Sequence, residues 1–170
     1  MELLLLIIPI GILMILVIQD FKSREISWFI IPLLFVVFTV KAILKIDVDE
    51  LLIYFGINSL IVCTNLLGVC IMVSLKEKKI TNILNTYLGL GDVLFFLLIT
   101  IVFSPLNFFI FFMGSVLVCS IVYGLMLLIN KKKQLPFPLA GAMSLMLIAA
   151  SIIEYLNSSI HFYQDYLFLI

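Results

Sequence analysis

Apolar residues occur in six continuous blocks along this chain, at about 3–19, 27–44, 51–75, 93–103, 107–129 and 138–155, separated by polar or charged connections. Continuous rather than alternating hydrophobicity predicts helices and not a β-barrel, because a helix satisfies its own backbone inside hydrocarbon. A membrane span takes about 20 residues, so a chain of 170 residues has room for six and for almost nothing outside the bilayer. The expected fold class is all-α: a polytopic membrane protein of six transmembrane helices, forming a single membrane-embedded domain over 1–170. The first block lacks a basic leader and a small-residue cleavage site, so it is expected to be a retained span. Residues 157–170 are too short to cross again. There Phe162, Tyr163, Tyr166 and Leu167 are expected to lie in the outer interface as an aromatic anchor.

Composition strengthens this picture. Hydrophobic residues make up 65% of the chain and charged residues 12%, with a mean hydropathy of +1.34, which excludes a soluble globular domain of ordinary composition. No basic patch points to nucleic acid, and the lipid bilayer is the expected surrounding. Cys63, Cys70 and Cys119 fall within apolar blocks and form no C-x-x-C pair, so they are expected to be packed free thiols. His161 lies in the tail, where a solvated or capping role is expected.

Charge placement orients the chain. The first, third and fifth connections carry Lys22 and Arg24, then Lys76, Lys78 and Lys79, then Lys131, Lys132 and Lys133, which is eight of the ten basic residues. The positive-inside bias puts those connections in the cytoplasm and both termini outside. Asp20 begins the first connection and Asp92 ends the third, so both acids are expected at the cytoplasmic ends of their helices. The fourth block holds 11 residues, and at about 1.5 Å each it covers roughly half of a ~30 Å hydrocarbon slab. Asp92 is then drawn inside the slab and the polar stretch 81–87 dips with it, not as a regular helix but as the wall of a wet, cytoplasm-facing cleft.

An acid in that position is costly, about 2.5–3.5 kcal/mol on insertion scales, and points to a functional site with a partner. The expected partner is Asp20. Paired carboxylates hydrolyse peptides when one is ionised and activates water while the other is protonated and polarises the carbonyl; burial and mutual repulsion create that asymmetry. Gly89 and Gly91, in Gly89-Leu90-Gly91-Asp92, are expected to let the backbone turn sharply and to let an extended substrate approach closely. Ser23 and Ser27 stand near Asp20, but no His is available on that side to activate them. No metal or organic cofactor is expected.

These residues together resemble the type IV prepilin peptidases and their archaeal preflagellin relatives, polytopic aspartic proteases of the GxGD type. Gly89-Leu90-Gly91-Asp92 is similar to the signature around the second catalytic acid. Asp20, followed by Lys22, Arg24 and Ile26, is similar to the first-acid block, and Leu135-Pro136-Phe137-Pro138-Leu139-Ala140 to the Pro-Phe segment opening the last span. Ser27 stands where the family often has Pro, and Leu94 where many members have Lys. The first connection is too short for the Cys-rich cytoplasmic insertion of the larger bacterial enzymes. The resemblance implies a minimal endopeptidase of a prokaryotic cytoplasmic (inner) membrane, with Asp20 and Asp92 catalytic, Gly89 and Gly91 substrate-binding, and prepilin-like proteins with short basic leader peptides as substrates. Two alternatives stand beside it: a presenilin-like GxGD intramembrane protease, and a non-enzymatic proton-coupled transporter or channel subunit using Asp92 as a relay.

Overall fold

The computed structural model describes residues 2–78, 89–129, 137–157 and 159–165. Among them are six helices and no strand: α1 (Glu2–Lys22), α2 (Ile30–Ile43), α3 (Val48–Glu77), α4 (Leu90–Ile99), α5 (Pro105–Ile129) and α6 (Leu139–Leu156). The protein is an all-α membrane protein. Of these helices, α1, α3, α5 and α6 are long and apolar enough to cross a membrane, whereas α2 and α4 are apolar but shorter, with 14 and 10 residues.

The helices are apolar on nearly every side, so packing and not hydrophobicity selects the inward face of each. On α1, Pro9, Leu13, Leu16 and Asp20 are buried, steps of three and four residues that trace one stripe of a 3.6-residue helix. Leu4, Ile7, Ile15 and Ile18 face outward, as lipid-facing positions do. Asp20 is therefore the last member of the packed stripe. That stripe lies against α6 in the most extensive pairing among the described helices. Ala140, Gly141 and Ser144 are buried on the facing side of α6, and such small residues let two backbones approach closely in a membrane. The two helices run antiparallel, since Asp20 near the end of α1 meets Gly141 near the start of α6.

The fourth helix is shorter than its apolar block. It stops at Ile99, and Thr100 to Phe103 follow as tight turns with Ile101 N–H donating to Leu98 O at 3.3 Å and Val102 N–H to Ile99 O at 3.1 Å. Irregular backbone at that depth needs partners inside the protein. Asn58 of α3, completely buried, supplies them by donating from Nδ2 to Thr100 O and Phe103 O, both at 2.9 Å. Beyond the turns, Ser104 N–H donates to Phe162 O at 2.8 Å, and Asn107 Nδ2 donates to the carbonyls of Phe162 and Gln164 at 3.1 and 3.0 Å.

In the tail, Phe162 and Tyr163 are each only 5% exposed, packed against the bundle where the carbonyls of this segment meet donors from Ser104 and Asn107. Tyr163 donates to Ile101 O at 3.3 Å; burial, with the Glu154 charge second, pushes its phenol above the usual range and keeps it a neutral donor. Tyr166 and Leu167 lie outside the described residues. The cysteines are free, as expected, but only Cys119 is buried, and Cys63 is exposed on α3.

Candidate active site

Asp20 is held by the way α1 ends. Arg24 adopts the left-handed conformation, with φ of 57°, and its N–H donates to Asp20 O at 3.1 Å, closing the helix with a non-glycine residue where glycine is commoner. The chain then doubles back. Ser27 N–H donates to Gln19 Oε1 at 2.9 Å, which turns the connection so that Ile26 reaches α4. A proline at position 27, as in the resembled pattern, could not make that bond, since it lacks the N–H.

Asp92 occupies the third position of α4, where a carboxylate suits the exposed amides of a helix start. Its Oδ2 accepts from Gly89 N–H at 3.2 Å. Its Oδ1 turns the other way and accepts from Ala140 N–H at 2.9 Å. The next amide of the same helix, Gly141 N–H, donates to Asp20 Oδ2 at 2.6 Å. Consecutive amides in the first turn of α6 thus grip one carboxylate each. Residues that far apart in sequence meet because α6 begins between the end of α1 and the start of α4.

The electrostatics follow from that grip. Arg24 lies within electrostatic reach of Asp20, and Asp20 within reach of Asp92. Asp20 is only 6% exposed and Asp92 is half-buried, so neither charge is well screened by water. The positive end of the α6 dipole favours negative charge at both. Two carboxyls set on consecutive amides of one helix could supply, with a single proton between them, both a base for water and a donor for a carbonyl oxygen.

Both glycines have close neighbours within the protein. Gly89 is extended, with φ of −70° and ψ of 146°, a conformation open to any residue. A Cβ there would stand 3.2 Å from Asp92 Oδ2, so its smallness makes room for the carboxylate to fold back. At Gly91 a Cβ would stand 3.1 Å from Ile26 Cδ1, so the first connection packs closely against this glycine. Ile26 on Gly91 is the contact that joins the Asp20 block to the Gly89-to-Asp92 block. The stretch 81–87, expected to dip into the slab, lies outside the described residues, and the helix carrying Asp92 starts at Leu90.

No protein-family model, curated protein or solved structure matches this chain.

Sequence reasoning missed Ala140 and Gly141 as parts of the site. Pro138 stands just before the first helical residue and Leu139, Ala140 and Gly141 open the helix; two small residues within the first turn after a proline, in a span beginning on the same side as two acids, were the available signal. Among the described residues, no three His, Cys, Asp or Glu side chains converge as a metal site would need.

Proposed function

We propose that this protein is a membrane aspartic endopeptidase of the prepilin-peptidase type, removing short basic leader peptides from prepilin-like proteins at the cytoplasmic face of a prokaryotic inner membrane. One observation carries the reading: Asp20 and Asp92, at the same end of the bundle, accept hydrogen bonds from the neighbouring amides of Gly141 and Ala140. In the proposed reaction one carboxylate removes a proton from water while the other carboxylic acid donates to the scissile carbonyl. The amides keep the pair in register throughout. The cytoplasmic assignment rests on the basic residues. Lys41 and Lys45, the two on the opposite side, are both engaged by Glu154 at 2.9 and 3.1 Å, which gives them a role in packing rather than in orientation. A relay reading would need polar groups joining the two ends of the bundle; on α6, Ser144 and Ser151 are separated by the buried Leu147 and Ile148.

The test is co-expression with candidate prepilins, reading the size shift on cleavage. Asp20→Asn and Asp92→Asn should each abolish cleavage, and the double variant should be no worse than either, because one acid cannot serve as both base and donor. The single amide oxygen can still accept from Gly141 at position 20 and from Ala140 at position 92, where the longer 3.2 Å bond from Gly89 is given up, so insertion should be normal. Near-normal cleavage by either single variant at normal levels would remove that residue from the dyad.

A further inference from the structure

At the end of the bundle opposite the two acids, a cavity of about 220 Å³ opens between the first turns of α1, the last turns of α2 and the last turns of α6. Its charges do not balance. Lys41 and Lys45 both line it, and Glu154 is the one acid that does so among the described residues. Glu154 is fully committed: Oε2 accepts from Lys41 Nζ at 2.9 Å, and Oε1 accepts from Lys45 Nζ at 3.1 Å and from Phe162 N–H at 3.2 Å. Lys41 is fixed further by lying over the Phe162 ring, 5.1 Å from its centre. Two ammonium groups on one carboxylate leave one positive charge over, and the Lys41 and Glu154 side chains are only 7% and 6% exposed.

Lys41 and Glu154 balance each other at depth, so the charge left over is that of Lys45, whose side chain is 36% exposed and stands where water or an anion can meet it. The walls favour an anion that brings hydrocarbon with it. Leu5 and Leu6 form one side of the cavity and continue into the outward-facing Leu3 and Leu4; Ser151 adds a hydroxyl on the α6 side. The volume lies below the roughly 300–1,000 Å³ of pockets that enclose a whole small molecule, a size for a headgroup with its chains lying outside. We propose that this cavity binds the phosphate of an anionic ligand, with Lys45 as its movable cation and Lys41 as its fixed one. Membrane phospholipid and free phosphate share that chemistry. The proposal does not depend on the peptidase reading, since the two sites lie at opposite ends.

The experiment uses the full chain in a neutral detergent. Native mass spectrometry compares retention of phosphatidylglycerol with that of phosphatidylcholine of the same chains, and a thermal shift compares inorganic phosphate with chloride at matched ionic strength. One lysine near an anionic lipid corresponds to about a fivefold difference in affinity, so phosphatidylglycerol should be retained about fivefold better, and Lys45→Gln should bring that ratio close to one. Lys45 is partly exposed, so its replacement leaves the fold in place, and Lys76→Gln at the other end of the molecule should change nothing. A lipid preference lost in Lys45→Gln identifies a phospholipid headgroup; no lipid preference but a phosphate shift lost in Lys45→Gln identifies free phosphate. Neither effect in the wild type, an effect that Lys45→Gln retains, or one that Lys76→Gln removes equally would overturn the proposal.

Discussion

Replacing Gly141 with Ala isolates the contact on which the acid pair depends. A methyl group there would stand 2.9 Å from Asp20 Oδ2 and 3.0 Å from two ring carbons of Phe21, against about 3.5–4.0 Å for comfortable contact. Either α6 or the end of α1 must move by roughly 0.5–1 Å. Overpacking of this kind costs about 1–3 kcal/mol, while Ala in place of Gly within a helix returns about 0.5–1 kcal/mol, so net destabilisation is about 0–2.5 kcal/mol. The site loses more than the fold does. A shift of that size stretches the 2.6 Å bond from Gly141 N–H to Asp20, and a hydrogen bond to a charged group is worth about 1.5–3 kcal/mol, or about ten- to hundredfold in rate. Leader cleavage should fall by that factor in Gly141→Ala, with a small drop in the thermal midpoint in detergent. Gly124→Ala is the control, since a Cβ at Gly124 meets nothing within 4 Å. If Gly141→Ala cleaved as fast as Gly124→Ala and was as stable, the close approach of α6 to Asp20 would be wrong.

Two further outcomes follow from the packing and the charges. Asn58→Leu removes both donors to Thr100 O and Phe103 O and leaves buried carbonyls without them, so it should lower stability by about 1–3 kcal/mol; an unchanged thermal midpoint would show that the turns after α4 do not rely on α3. Accessibility tags at either terminus should label from outside and a tag in the Lys131-to-Lys133 connection only from the cytoplasm; cytoplasmic termini would separate the acid pair from a cytoplasmic substrate.

Much of the architecture is readable one segment at a time. The lengths of the apolar blocks require helices, because backbone satisfaction in hydrocarbon is a local matter settled within each segment. Asp20 and Asp92 stand out for the same reason: a carboxylate beside an apolar run is anomalous without knowledge of its neighbours. What joins them is not local. Asp20 is held by an amide 121 residues away and Asp92 by one 48 residues away, and Lys41 meets Glu154 across 113 residues. Helices apolar on all sides carry almost no record of which face turns inward, so nothing along α1 or α6 alone shows that they pair. Gly89 and Gly91 show the same limit, since a missing Cβ reads identically whether a substrate, a carboxylate or Ile26 fills its place. The chain alone determined the helical character of its apolar blocks and the two anomalous acids; only the folded bundle decided that the start of α6 grips both acids, that Asn58 completes the shortened α4, and that two lysines share one glutamate at the far end, because each depends on how apolar cylinders rotate against one another.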